Sequence, residues 1–228
     1  MNLDKDKNAE ITLFNCEETM TIKKFLERLL EERPPGPYPS FSLFHLIRAL
    51  ELIAKKGPIG RGKLSEELKT GEGATRTIID RLKDAELIVI SKPGCSLTKD
   101  GERIWNEFQS IFPRKVRLEE SKLTLAACNV AMLIKGCGDR VRAGVEQRDA
   151  AIMTGARGAT TLVFKSQKLT APMISENVAR DFPAAFNQIT ELMEMDDNDV
   201  IVIGSADTWE RAEYGALAAA WTLIESNC

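Results

Sequence analysis

The segment EGATRTIIDRLKD, residues 72–84, holds the side chains best suited to chemistry with a partner. If Ile78, Ile79, Leu82 and Ala85 line the inner face of a helix, helical spacing turns Gly73, Arg76, Thr77, Asp80 and Asp84 outward and sets Arg81 and Lys83 on the flanks. An arginine near a helix start can present its planar fork to a guanine edge in the major groove of double-stranded DNA. Thr75, Thr77 and Arg81 are of the type that hydrogen-bonds phosphates. The small pair Gly73-Ala74 lets the helix end approach closely, and its free N–H groups attract an anion. Against this, Asp80 and Asp84 repel a polyanion, and Arg76 and Arg81 would serve equally as solvated surface or as partners of acids one turn away.

A second group sits near the C-terminus. Gly155-Ala-Arg-Gly-Ala159 joins a helix to a strand, and Gly204-Ser-Ala-Asp207 joins a strand to a helix, with Arg148, Asp149, Thr160 and Thr161 nearby. Were Arg148, Gly155, Gly158, Thr160, Gly204, Ser205 and Asp207 to converge, they would offer backbone N–H donors, a guanidinium and hydroxyls. That set suits a small anionic effector. The plainer alternative is that the glycines permit tight turns and Asp207 caps a helix.

Other chemistries find little support. The single histidine, His45, has no second histidine with which to complete a site, and no P-loop, H-E-x-x-H or G-x-S-x-G pattern occurs. Five cysteines (Cys16, Cys95, Cys128, Cys137, Cys228) are scattered, odd in number and never in C-x-x-C spacing, so they read as reduced thiols without a bound metal. No cofactor is implied, and the expectation is a protein that is not an enzyme. No apolar run approaches the roughly 20 residues that span a bilayer, and the start MNLDKDKNAE lacks a secretion signal, so no membrane partner and a cytoplasmic location are expected.

Elements must position these residues. The first twenty residues read as a loose polar arm. Thr21 caps a helix TIKKFLERLLEER with Ile22, Phe25, Leu26, Leu29 and Leu30 on one stripe, and PPGPYP ends it. A lone amphipathic helix on such a tether needs a cover, from the second domain or from another subunit. Helices are expected over 40–56, 61–69 and 73–86. A hairpin follows, with strand formers Leu87 to Ile90, a Lys92-Pro93-Gly94 tip and Thr98 capping the next helix. Three helices, a hairpin and an exit helix is the order of a winged helix-turn-helix, with Lys92 on the wing.

Beyond residue 118 the expected order is β-α-β-β-α-β-α. Strands lie in 123–134, 159–164, 169–174 and 199–203; helices lie over 140–153 and 177–193, and a final one is capped by Asp207. This is a split-βαβ, two-layer α/β sandwich; a related two-layer arrangement, resembling the small insertion domain of bacterial-type aspartyl-tRNA synthetases, is the runner-up. The fold class is therefore α+β, with an arm, helix and Pro-rich linker over 1–39, a winged helix over 40–117 and an α+β effector or dimerisation domain over 118–228. Charge follows this division: residues 41–117 hold fifteen Lys and Arg against ten Asp and Glu, whereas 118–228 hold ten against sixteen. A basic module beside an acidic one is the asymmetry expected when only one of them meets a polyanion.

The run EGATRTIIDRLKDAELIVISKPGCSLTKDGERI, with its Leu-Thr-x-x-Gly step after the wing, resembles the recognition helix, wing and exit helix of winged-helix transcriptional regulators over about a third of the chain. GVEQRDAAIMTGARGATTLVF and VIVIGSAD resemble an archaeal family of uncharacterised proteins with the same two-domain layout. The resemblances imply a DNA-binding regulator. With the helical order they yield the expectation of a homodimer on double-stranded DNA whose C-terminal domain senses a ligand or mediates assembly. A winged helix that docks protein is the main alternative, and an enzyme or RNA-associated factor built on the C-terminal domain is another.

Overall fold

The computed structural model describes residues 21–31 and 41–224. The polar arm, the Pro-rich linker, Cys16 and Cys228 lie outside them. Four helices open the described chain: α1 (Ile22–Glu31), α2 (Leu43–Lys56), α3 (Arg61–Leu68) and α4 (Glu72–Asp84). At the start of α2 the imidazole Nδ1 of His45 accepts the Ser42 backbone N–H at 3.1 Å, and Gly57, at φ +68°, ends the helix. The hairpin follows as β1 (Ile88–Ser91) and β2 (Gly94–Leu97), turning through Lys92-Pro93, and then α5 (Lys99–Ile111). Thr98 caps α5 as expected. Its hydroxyl accepts the Gly101 N–H at 2.9 Å and donates to the Glu86 carbonyl at 2.6 Å, so one side chain ties the end of α4 to the start of α5. Ile59 and Cys95 exchange both backbone hydrogen bonds and anchor the hairpin. Gly94 is required there, since a Cβ would lie 2.5 Å from the Ile59 carbonyl.

The C-terminal half is one five-stranded antiparallel sheet in the order β3-β4-β7-β5-β6. Its strands are β3 (Arg114–Leu118), β4 (Cys128–Ile134), β5 (Gly158–Lys165), β6 (Lys168–Thr170) and β7 (Asp199–Ala206). The helices are α6 (Val145–Met153), α7 (Val178–Asp181), α8 (Pro183–Leu192) and α9 (Trp209–Trp221). β4 and β5 both run antiparallel to β7, which lies between them, so β4-α6-β5 is a split βαβ unit. All eight residues of β7 are buried, as a central strand covered on both faces requires. α6 and α9 cover one face; Val178, Ala185 and Ile189 of α7 and α8 pack on the other, against Ala131, Leu133, Leu162, Ile201 and Ile203.

Several boundaries differ from expectation. The sheet begins at Arg114, four residues before the anticipated start at Leu118, because the charged edge strand RKVRL gives no apolar signal. β4 begins at Cys128 and not Leu123, since Ser121 and Thr124 fold a local turn through their hydroxyls. The helix expected over 177–193 breaks at Phe182, and Pro183 takes the first position of α8, the place where its missing N–H costs nothing. Thr208, and not Asp207, caps α9 by accepting the Arg211 N–H.

The two halves share one core. A continuous apolar cluster runs from α1, α2 and α5 into α9 and the near face of the sheet, with Phe108, Phe112 and Trp221 in ring contact across the junction. α1 finds the cover that its stripe required within the chain. Trp221 Nε1 donates to Glu27 Oε1 at 2.9 Å, and Lys23 donates to the carbonyls of Trp221 and Ile224 at the end of α9. Glu51 of α2, 5 % exposed, accepts hydrogen bonds from Lys115 of β3 at 2.6 Å, Lys55 at 2.6 Å and Arg48 at 2.7 Å, and Lys115 also pairs with Glu213 of α9. Burial pushes the Glu51 carboxyl up, but Lys115, Lys55 and Arg48 outweigh it and hold the group down at about 2.

A depressed carboxylate stabilises the fold above its unfolded value near 4.5 and loses that contribution as pH falls towards 2. Glu51→Gln should therefore cost about 3 kcal/mol at pH 7, because it leaves the half-buried Arg48 and Lys115 short of a partner. In urea titrations the gap between parent and variant should narrow at pH 3. An equal gap at both pH values would refute the assignment.

Candidate nucleic-acid interface

α4 presents two unlike faces. Ile78, Ile79 and Leu82 are buried, while Gly73, Arg76, Asp80, Lys83 and Asp84 are exposed and Thr77 is half-buried, its hydroxyl donating to the Gly73 carbonyl at 3.1 Å. Arg76, Lys83 and the hairpin-tip Lys92 are exposed, and their side chains make no hydrogen bond or ion pair among the described residues. Of the cations on the preceding elements, Lys56 pairs with Glu67, Lys63 with Glu66 and Lys69 with Glu210, while Arg61 at the start of α3 is exposed. Exposed cations without a partner among the described residues thus include Arg76 and Lys83 on α4, Lys92 at the hairpin tip, and Arg61 and Lys99 at the starts of α3 and α5. Gly71 precedes α4 without a side-chain cap, so the first N–H groups of the helix keep their anion-binding capacity.

Two of the expected phosphate contacts are corrected. Thr75 is fully buried; its hydroxyl lies 2.9 Å from that of Thr70 and donates to the Gly71 carbonyl, fixing the turn between α3 and α4. Arg81 is 8 % exposed and points away from the outer face. Its Nη1 donates to the carbonyls of Leu29 at 2.8 Å and Leu30 at 2.6 Å, and its guanidinium lies 5.2 Å from the centre of the Phe41 ring. The last carbonyls of α1 lack intrahelical donors and carry the negative end of the helix dipole, which is why a cation settles there. The sequence signal was present but weak: positions 75 and 81 stand three residues from Ile78, so both fall on the edge of the buried arc.

At the far end of the sheet the two glycine turns do converge, since Gly158 pairs with Ser205 and Ala159 with Gly204. Arg148 lies beside Gly158; a Cβ on that glycine would be 3.6 Å from Arg148 Cγ. The side chains, however, are engaged internally. Thr160 donates to the Leu123 carbonyl at 2.7 Å, and Ser205 donates to Asn129 Oδ1 at 2.7 Å while accepting the Leu125 N–H. Arg148 pairs with Asp149, and Asp207 with Arg157. Gly204 lies inside β7 and serves helix-on-sheet packing, because a Cβ would collide with the backbone of Ala212 and Ala216 in α9. Gly155, at φ +87°, is a turn glycine in the conformation that L side chains avoid.

Comparison with known proteins divides the chain in the same way. Residues 45–112 match the family described as the CggR N-terminal DNA binding domain. The helical module is thus similar to a DNA-binding domain. Residues 125–223 match a family described only as a domain of unknown function, DUF4443. A hypothetical protein from Pyrococcus horikoshii OT3 shares 25% identity with a TM-score of 0.65, over 81% of this chain and 93% of its own. A protein with unknown function from Listeria innocua Clip11262 shares 21% identity over 39% of this chain and 67% of its own, with a TM-score of 0.25. No curated protein matches the chain. The likeness to the Pyrococcus protein supports the archaeal resemblance and the α+β arrangement.

Arg81→Ala should destabilise the fold by about 2 kcal/mol through the loss of charged hydrogen bonds to α1. Chemical denaturation would show this as a lower midpoint. A variant as stable as the parent would return Arg81 to the surface.

Proposed function

We propose that the protein is a DNA-binding transcriptional regulator whose helical module is a winged helix-turn-helix, with α4 as the recognition helix and the β1-β2 hairpin as the wing. One observation carries this reading: within the segment that matches a DNA-binding domain, Arg76 and Lys83 of α4 and Lys92 of the hairpin tip are exposed cations without a hydrogen bond or ion pair among the described residues, whereas Arg81 of the same helix is buried and engaged. Arg76, in the second turn of α4, is the candidate for base-edge recognition. Lys83 and Lys92 are candidates for phosphate contact, and Thr77 stands beside Arg76.

Arg76→Ala should weaken binding to a duplex selected from a random pool roughly ten- to a hundredfold and relax preference at one base pair. Lys83→Ala and Lys92→Ala should weaken all duplexes alike and lower the salt slope by about one each. Fluorescence anisotropy at several salt concentrations measures both. Unchanged affinity for Arg76→Ala would sink the α4 assignment.

A single module offers one recognition helix, so a homodimer that reads two half-sites is part of the proposal. The apolar stripe of α1 no longer argues for it, since α2 and α5 pack on α1 within the chain and Ile22, Leu26 and Leu29 join the common core. Sedimentation of the full chain with a two-site duplex tests it: two copies per duplex are expected, and one copy at saturating protein would remove the dimer.

Protein docking stands as a second reading because Val89 and Ile90 on β1 are 51% and 53% exposed. Val89→Ser with Ile90→Ser should leave DNA affinity within about threefold if the first reading holds.

A further inference from the structure

Between the two halves lies an apolar pocket of about 680 Å³, walled by the start of α2, the end of α6 and one side of α9, with Lys23 of α1 at its rim. Its size falls within the roughly 300 to 1,000 Å³ of small-molecule sites, which favour domain junctions. Phe41, Phe44, Tyr214 and Trp221 supply aromatic wall, and Ala218 leaves space beside them. Met153 lines the same pocket yet is 88% exposed, so a flexible thioether stands in water at its edge instead of packing.

The lining sets the charge of the occupant. Among the described residues no Asp or Glu lines the pocket, and the one cation, Lys23, already donates to the carbonyls of Trp221 and Ile224. A charged ligand would be desolvated there without a counter-ion. His45 supplies a directional polar group. Its Nδ1 lies 3.1 Å from the Ser42 N–H and 2.9 Å from the Ser42 hydroxyl, both able to donate to it; with Nδ1 as that acceptor the neutral ring carries its proton on Nε2, for which no hydrogen-bond partner stands among the described residues. Burial lowers the imidazole pKa, which keeps the ring neutral near pH 7.

We infer that this junction pocket binds an uncharged, largely apolar small molecule bearing a hydrogen-bond acceptor for His45, a ligand class distinct from the anion suggested by the glycine turns. Such a molecule would bridge α6 and α9 to the first turn of α2. Any effect on DNA rests on the DNA-binding reading, whereas binding to the pocket does not.

The test uses the full chain and the neutral fluorophore N-phenylnaphthylamine, followed by its own emission and by tryptophan quenching. Saturable one-site binding is expected. It should weaken at least about tenfold in Ala150→Phe, which fills the pocket, and in Met153→Glu, which places a charge at its edge without touching the core. Arg148→Ala, on the outer face of α6, should bind as the parent does, and circular dichroism would confirm that each variant is folded. Absence of saturable binding would overturn the inference, as would equal binding by both pocket variants or preference for the anionic probe anilinonaphthalene sulfonate.

Discussion

Glu51 holds a negative charge where little water reaches, and the cations that permit it come from both halves of the chain. Arg48 and Lys55 share its helix, while Lys115 belongs to the sheet and links onward to Glu213 of α9. A cluster of this kind tolerates only matched geometry, because a displaced partner leaves a buried charge uncompensated. Its consequence is positional. α2 packs against α3, α4, β2 and α5, so setting α2 on the sheet also sets the direction in which α4 faces.

α4 is held from behind and open in front. Ile78, Ile79 and Leu82 join the common core, and Arg81 reaches back to close the end of α1. α1 in turn is tied to α9 through Trp221 and Lys23. One short helix thus carries two arginines with opposite roles: Arg81 is a buried cap for a neighbouring helix, and Arg76 is a free cation in solvent. The same polar fork serves architecture in one case and is available to a partner in the other, and the difference is whether α1's terminal carbonyls lie within reach.

Much of this was legible from residue order. Gly57, Thr98 and the Lys92-Pro93-Gly94 turn fix element ends by local chemistry, and local chemistry is what a sequence displays. The split βαβ unit followed from the alternation of apolar runs and helical stripes in the C-terminal half. What escaped depended on distant partners. β3 is a strand because β4 offers its edge, not because RKVRL favours one. Thr75 and Arg81 looked like surface because their partners, the α3-α4 turn and the end of α1, are absent from any helical wheel. Gly204 looked like a ligand-binding turn, yet the close approach of α9 requires it. The junction pocket left no motif at all, since its walls come from four helices far apart in sequence.

The central claim is that the outer face of α4 reads DNA. Crosslinking the protein to DNA in its native cells and sequencing what is recovered tests that claim most directly. Discrete enriched sites that share a short motif containing a guanine are expected, and they should be lost when Arg76 is replaced by alanine. Even coverage of the genome, or the same sites recovered with and without Arg76, would contradict it.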